Sequence, residues 1–372
     1  MAGVGCLGIR CGSIGRAARF LLCVVGFAVL WSGVVLAAPQ ERTPQEEPIH
    51  TLHVYTNLIQ IPTLVLGPNR DRLKTPIAES KFSVSIDSGP WFRATHVREE
   101  GDDPISLSIL LDAGGDSSEL MPKIDSAIAG LAPLGLHPKD HVSIYALDCS
   151  LMRSLNDAPA ESGRLKLAVN QALELWTIRK KTRHEPSCPQ SVHLWDALAH
   201  IAGELYKLPG RRVILVVTDG RDRGSRHTWK EVMTYAGVTG VAVFGVTYIP
   251  AEVVGKSFHF PRWGSEDPFL SLCELSGGMV SLSTTTSLEF TLQRFVTMLR
   301  ERYIVEFPSP ANATSGQHGM NVKVAKSNYF IRPAGISVPI PDTALLADPT
   351  TVPSDPSRTP EQGTRKPMTK PY

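Results

Sequence analysis

The chain has 372 residues, 42% of them hydrophobic and 20% charged, which is enough for one large domain with additions or for two domains. The formal net charge is +2, and the three arginines of the first 38 residues account for more than all of it. The remainder is therefore nearly neutral and offers no electrostatic basis for binding nucleic acid.

Residues 1–38 have the order of residues found in a secretory signal peptide. Three arginines precede an apolar stretch at 20–36, which ends in the small residues Ala37 and Ala38. The alternative is an uncleaved membrane anchor, since about 17 apolar residues are close to the lower limit for a span. We expect cleavage, no transmembrane span in the mature chain, and a location in the periplasm, the cell envelope or the extracellular space.

A polar linker is predicted at 39–50 and a β-rich module at 51–102, where β-branched and apolar residues alternate with polar ones. From residue 103 to 302 predicted strands alternate with predicted helices. The strands are expected at 105–111, 141–147, 213–217 and 241–248, with a hairpin partner at 151–155, and the helices near 120–131, 163–176, 192–208, 228–236 and 287–302. This alternation, with almost wholly apolar central strands, predicts an α/β domain with a mostly parallel sheet and helices on both faces.

Strand-like runs return after residue 302, and we expect residues 303–340 to complete the β-rich module. Residues 341–372 are rich in proline, threonine, serine and aspartate, a composition that predicts a disordered tail.

The motifs of common enzyme classes are missing from the sequence. It contains no G-x-S-x-G elbow and no H-E-x-x-H helix, and the glycines at 277–278 precede a strand instead of joining a strand to a helix. We therefore expect a binding protein rather than an enzyme, with a hydrolase as the less favoured alternative.

Three segments resemble the first, fourth and fifth strands of von Willebrand factor A-type domains: "ISLSILLDAGG" from Ile105, "RRVILVVTDGRDRGS" from Arg211 and "VAVFGVTYI" from Val241. The flanking segments "NLIQIPTLVL", "KFSVSIDSG", "RYIVEF" and "NYFIRPAG" look like those of a secreted bacterial branch of such proteins. The resemblance covers roughly residues 50–336 and implies a Rossmann-like α/β fold that binds a protein or another ligand. The rival interpretation is a structural envelope scaffold without a specific ligand site.

The resemblance also implies a metal-ion-dependent adhesion site, in which a D-x-S-x-S loop, a threonine and a later aspartate hold Mg²⁺. Asp112 and Asp219 match the two aspartates, but Gly114 and Asp116 stand at the serine positions and Val192 at the threonine position. The implied site is degenerate, and its aspartates (Asp112, Asp116 and Asp219) either bind Mg²⁺ or Ca²⁺ weakly or cap loops and helices.

Other side chains near this edge are candidates for ligand binding. Ser117 and Ser191 lie close to the missing hydroxyl positions, and Arg221, Arg223 and Arg226 follow Asp219. Guanidinium groups offer a bidentate fork to a carboxylate, which favours an acidic protein partner. The alternative is that these arginines pair with neighbouring aspartates in a solvated network.

Outside the leader the chain has three cysteines, so at most one internal disulfide forms among them. Cys149 follows the second predicted strand and Cys188 precedes the helix near 192, which places both at one sheet edge and predicts that they pair. Cys273 has apolar neighbours and is expected to be a buried thiol. The basic run at 179–184 is expected to be a solvated loop.

Overall fold

The computed structural model describes residues 53–55, 58–182, 192–253, 267–308, 316–334, 336–338 and 351–353. The strands in these ranges are β1 (His53–Tyr55), β2 (Leu58–Leu66), β3 (Phe82–Ile86), β4 (Phe92–Arg93), β5 (His96–Glu99), β6 (Ile105–Asp112), β7 (His141–Leu147), β8 (Leu151–Pro159), β9 (Arg211–Val217), β10 (Val241–Tyr248), β11 (Val280–Ser283), β12 (Tyr303–Pro308), β13 (Gly316–His318), β14 (Met320–Val324), β15 (Phe330–Pro333), β16 (Ile336–Val338) and β17 (Thr351–Pro353). The helices are α1 (Met121–Ala129), α2 (Leu131–Leu134), α3 (Ser162–Ala172), α4 (Glu174–Lys181), α5 (Leu194–Tyr206), α6 (Trp229–Thr239), α7 (Pro268–Leu275) and α8 (Leu288–Arg300).

The central sheet has the strand order β11-β10-β9-β6-β7-β8, and only the β7–β8 pair is antiparallel. Every residue of β6 is buried, because α1, α3 and α8 pack on one face of the sheet and α5, α6 and α7 on the other. A strand covered on both faces is apolar along its length, which is the pattern seen in the sequence. The predicted fold class is confirmed.

Helix α6 shows how local sequence sets the ends of an element. Thr228 accepts a hydrogen bond from the backbone of Glu231, and Glu231 accepts one from the backbone of Thr228, which is a capping box. At the other end Gly240 has φ +64°, a left-handed conformation that favours glycine. The capping box joins the loop before α6 to the helix, and Gly240 ends the helix.

Antiparallel strands from the early and late parts of the chain form a second layer. One sheet has the order β15-β2-β12-β5 and another the order β14-β3-β4, and their shared core includes Ile61, Phe82, Val305 and Phe307. Two small pairs, β13 with β16 and β1 with β17, complete the described strands.

Strand β17 lies within the segment predicted to be a disordered tail. Its β-branched residues Thr351 and Val352 favour an extended conformation, a local signal that the segment's overall composition hides. The rest of that segment lies outside the described residues, as do the predicted leader and linker. Among the helices described above, none is long and apolar enough to cross a membrane.

A buried ion pair joins the two layers where β5 leads into β6 and α8 leads into β12. Arg302 donates from Nε and Nη2 to the carboxylate of Glu100, with both distances 2.8 Å, and the two side chains are 2% and 0% exposed. The backbone of Glu100 also donates to the carbonyl of Arg302. Next to this pair, Arg300 contacts the fully buried Asp140, whose carboxylate accepts from the backbone of Ile105 at the start of β6.

The cysteines of the described residues have different states. Cys149, in the β7–β8 turn, is disulfide-bonded. Cys273 is free and fully buried in α7, as its apolar neighbours predict. Cys188 lies outside the described residues, so its pairing with Cys149 stays a prediction.

Replacing Glu100 with alanine is expected to lower the free energy of unfolding by about 3–5 kcal/mol, because it leaves the Arg302 charge buried without a partner. Urea unfolding measures this. The matched control is Glu301→Ala, which removes the carboxylate facing the largely exposed Arg72 and should have a much smaller effect. Equal losses of unfolding free energy in the two variants would show that Glu100 and Arg302 do not form a stabilising buried ion pair.

Mass spectrometry of the non-reduced protein is expected to find a peptide pair linking Cys149 to Cys188. Cys273 should react with thiol reagents only after unfolding, because burial raises the pKa of its thiol well above the ordinary value. A free Cys149, or a link from Cys149 to any other cysteine, would show the predicted pairing to be wrong.

Candidate functional site at the carboxyl edge of the sheet

Asp112 ends β6 and is 2% exposed. Its Oδ2 accepts a 2.6 Å hydrogen bond from the hydroxyl of Thr218, which follows the neighbouring strand β9, and its Oδ1 accepts one of 3.1 Å from the backbone of Gly114. The pKa of Asp112 is raised to about 6, mainly by burial and also by the nearby Asp219, while these hydrogen bonds and Arg223 oppose the shift.

Asp219 lies beside Asp112, one residue beyond Thr218, and its side chain is 4% exposed. Its Oδ1 accepts from the backbone of Arg221 at 3.0 Å, and its Oδ2 accepts from Nη2 of Arg223 at 3.1 Å. The arginine side chain is 39% exposed, so one part of it reaches solvent while its tip contacts the buried carboxylate.

The guanidinium of Arg223 lies against the backbone of the loop that follows β6. A methyl group on Gly115 would be 1.9 Å from Oδ2 of Asp219 and 2.6 Å from Nη2 of Arg223. A methyl group on Gly114 would be 2.8 Å from Nη1 of Arg223 and 3.2 Å from Oδ1 of Asp112. The arginine can approach both aspartates only because residues 114 and 115 have no side chains.

The hydroxyl of Ser117 does not face this site. It is fully buried and lies 2.7 Å from the carbonyls of both Asp112 and Gly114, because the helical turn Gly115–Glu119 carries it inward. The predicted ligand-binding role of Ser117 stays a prediction, and in this structure its hydroxyl bonds to the loop's own backbone instead. Asp116 is exposed on the same turn, and Ser191 lies outside the described residues.

The oxygen groups described at this edge are an incomplete set of ligands for a divalent cation. Mg²⁺ needs oxygen ligands in a nearly octahedral arrangement. Both oxygens of Asp112 and both of Asp219 already accept hydrogen bonds, and a guanidinium lies beside them. Among the described residues, no group of three or more His, Cys, Asp or Glu side chains is placed to hold a metal ion.

The loop at 219–228, which carries Arg221, Arg223 and Arg226 and is called the arginine loop below, is fixed to the start of α5 through Asp222 and Ser225. Oγ of Ser225 lies 3.0 Å from the backbone nitrogen of Trp195 and 3.2 Å from that of Asp196, so it caps the first turn of the helix. The same hydroxyl donates to Asp222 at 2.5 Å. Burial would raise the pKa of Asp222, but the hydrogen bonds from Ser225, Gly224 and Trp195 outweigh it and lower the pKa.

Asp196, in the first turn of α5, also holds the loop, and here the helix residue accepts hydrogen bonds from the loop. Its carboxylate accepts from the backbones of Arg226 and His227 at 3.0 and 3.1 Å and lies 2.7 Å from Nδ1 of His227. Burial would raise the pKa of Asp196, but these hydrogen bonds outweigh it and lower the pKa. The side chains of Arg221 and Arg226 are exposed on a loop whose backbone is held at several points.

Sequence reasoning located Asp112, Asp219 and Arg223 but missed the residues that hold them, which are Thr218, Asp222, Ser225 and Asp196. One signal was present: aspartate and serine three residues apart in "DRGS" form a side-chain-to-backbone turn. The contact of that turn with α5 depends on tertiary structure and has no local signal.

Replacing Asp112 with asparagine should change how stability depends on pH. The pKa of about 6 in the folded protein exceeds the ordinary value of 3.8, so the folded state binds this proton more tightly, and the resulting stability is lost as pH rises through about 6. From about pH 4 to about pH 8 the wild type should lose up to ~3 kcal/mol relative to the variant.

Urea unfolding at several pH values measures the difference, with Asp116→Asn as the exposed control. A difference between wild type and Asp112→Asn that is constant with pH would show that Asp112 is not a perturbed buried acid.

The sequence matches no protein-family model and no curated protein. Similar solved structures include proximal thread matrix protein 1 from the mussel byssus, at 10% identity over 57% of this chain and 51% of that one, with a TM-score of 0.40. A further structure of the mussel protein is described as having a zinc-occupied MIDAS motif. This chain spans about half the length of the mussel protein.

BatB from Bacteroides thetaiotaomicron is similar at 15% identity over 52% of this chain and 98% of that one, with a TM-score of 0.36. The PilB minor pilin from Streptococcus sanguinis is similar at 11% identity over 54% and 62%, with a TM-score of 0.34. TM-scores this low do not show that the proteins are related. The fold class follows instead from the strand order and strand directions of the central sheet. The sheet is mostly parallel with a single antiparallel edge strand, and Asp112 and Asp219 lie at its carboxyl edge, which is the α/β fold that the resemblance in the sequence implies.

Proposed function

We propose that the carboxyl edge of the central sheet recognises an acidic protein partner, with Arg223 supplying the positive charge that a metal ion supplies in an adhesion site. The observation that carries the proposal is the position of the Arg223 guanidinium, beside Asp112 and Asp219 and against the backbone of Gly114 and Gly115. A partner that approaches this edge meets a fixed cation rather than two carboxylates.

Two further arginines support binding of a carboxylate. The side chains of Arg221 and Arg226 are exposed, and the contacts described for these residues are made by their backbone nitrogens. Each guanidinium can donate two parallel hydrogen bonds to a carboxylate. The loop is held by Asp196, Asp222 and Ser225, so little conformational entropy is lost when it binds.

A tightly bound metal ion has no part in the proposal. The hydroxyl of Ser117 is directed into the protein, and the oxygens of Asp112 and Asp219 have other partners. The proposed activity is recognition without catalysis, by a protein exported through the leader at 1–38. A scaffold without a specific ligand is the competing function, and it requires no exposed arginines at this edge.

Partner capture from an envelope extract is expected to survive EDTA and to weaken as salt rises. Arg221→Ala and Arg223→Ala should each weaken capture by about tenfold to a hundredfold, the effect of losing a charge-assisted hydrogen bond. The matched control is Arg164→Ala, an exposed arginine on α3, which should bind as the wild type does.

Calorimetry with Mg²⁺ alone is the second measurement. Micromolar Mg²⁺ binding, or loss of capture in EDTA, would mean that a metal site is intact and that the proposal is wrong. Unchanged capture in both arginine variants would favour the scaffold function.

A further inference from the structure

A cavity beside the β7–β8 turn reaches a disulfide-bonded sulfur. Cys149 lies in this turn, is disulfide-bonded and is partly exposed. The cavity has a volume of about 420 Å³, and Cys149 lines it together with Met152 of β8 and with Trp176 and Arg179 of α4. Thiol–disulfide exchange requires that a thiol reach the sulfur atoms, so this cysteine is placed for exchange, whereas the fully buried Cys273 is not.

A guanidinium group contacts the same sulfur. Nη1 of Arg179 is directed at Sγ of Cys149, and Nη2 contacts Oδ1 of Asp148. The side chains of Arg179 and Asp148 are only 19% and 21% exposed, so solvent screens their charges less than it screens those of a surface pair. These two are the charged side chains among the described residues that line the cavity.

The helical end of the basic run places this arginine. The run at 179–184 is helical up to Lys181, and not a loop throughout as the sequence predicts; residues 183–184 lie outside the described residues. The last turn of α4 carries Arg179 against the β7–β8 turn, whereas Lys180 and Lys181 are exposed. Of the three basic residues in this turn, Arg179 is the one that contacts the sulfur.

Reduction of the disulfide creates a negative charge at this place when Cys149 is released as a thiolate. Oδ2 of Asp148 lies 4.0 Å from Sγ, so the carboxylate repels a thiolate there, while the guanidinium of Arg179 is in direct contact and attracts it. The attraction acts at the shorter distance and therefore outweighs the repulsion. A disulfide whose reduced form is stabilised in this way is reduced more readily than a structural crosslink.

We infer that the disulfide of Cys149 is an exchange site for thiol reductants in the folded protein. A reductant thiolate attacks the sulfur of the partner cysteine, which is predicted above to be Cys188, and forms a mixed disulfide with it. Cys149 leaves with the electron pair of the broken S–S bond, as a thiolate beside Arg179. A second reductant thiolate attacks the mixed disulfide, the partner cysteine leaves and takes up a proton, and the two reductant sulfurs end as a disulfide. The inference is independent of the proposed function at the sheet edge.

Equilibration in glutathione buffers tests the inference with the chain that begins at residue 39, which lacks the three leader cysteines. Samples are quenched in acid, unfolded and alkylated, and mass spectrometry counts one thiol in the oxidised protein, that of Cys273, and three in the reduced protein. The wild type should be half reduced while folded. The ratio of squared reduced glutathione to oxidised glutathione at that point should be about tenfold or more below the ratio for Arg179→Gln, which loses a charge-assisted hydrogen bond to the thiolate.

Two further variants separate this role from a structural one. Asp148→Asn should shift in the opposite direction and be half reduced at a lower ratio than the wild type, because it removes the carboxylate that repels the thiolate. The matched control is Lys180→Gln, which removes a positive charge from the same helix turn but whose Nζ lies over the ring of Trp176, and it should behave as the wild type does. Thermal unfolding should show the oxidised variants folded. A disulfide that glutathione opens only after unfolding, equal ratios for wild type and Arg179→Gln, an equal shift in Lys180→Gln, or a shift of Asp148→Asn in the same direction as Arg179→Gln would overturn the inference.

Discussion

Two carboxylates are buried side by side at the carboxyl edge of the central sheet, and this arrangement requires a compensating positive charge. Asp112 and Asp219 are brought together because β6 and β9 are adjacent parallel strands that end at the same edge. Like charges at close range in a poorly solvated place repel strongly. The protein meets the requirement in two ways: burial, and to a lesser extent Asp219, makes Asp112 take up a proton more readily, and Arg223 lies beside both groups.

The attachment of the arginine loop to α5 makes this arrangement rigid. Asp222 and Ser225 satisfy the first backbone N–H groups of the helix, and Asp196 of the helix satisfies backbone N–H groups of the loop. Each element therefore caps the other, and the loop continues directly into the capping box of α6. A rigid loop with exposed arginines is suited to recognition, since its geometry exists before a partner arrives.

The sequence predicts the parts of this account that follow from local patterns. Apolar runs that end in aspartate predict both the sheet and the edge at which Asp112 and Asp219 lie. The sequence does not predict which of Arg221, Arg223 and Arg226 contacts the aspartates. That contact depends on Gly114 and Gly115, which are more than one hundred positions away in the chain. The inward direction of Ser117 and the helical end of the basic run are also set by packing, against β6 and against the β7–β8 turn respectively.

The most direct test of the central claim is a crystal structure determined in excess Mg²⁺. The account predicts that electron density places the Arg223 guanidinium against Gly114 and Gly115, within hydrogen-bonding distance of Asp219, with no metal ion between the aspartates. An ion coordinated by Asp112 or Asp219, with Arg223 turned into solvent, would contradict it.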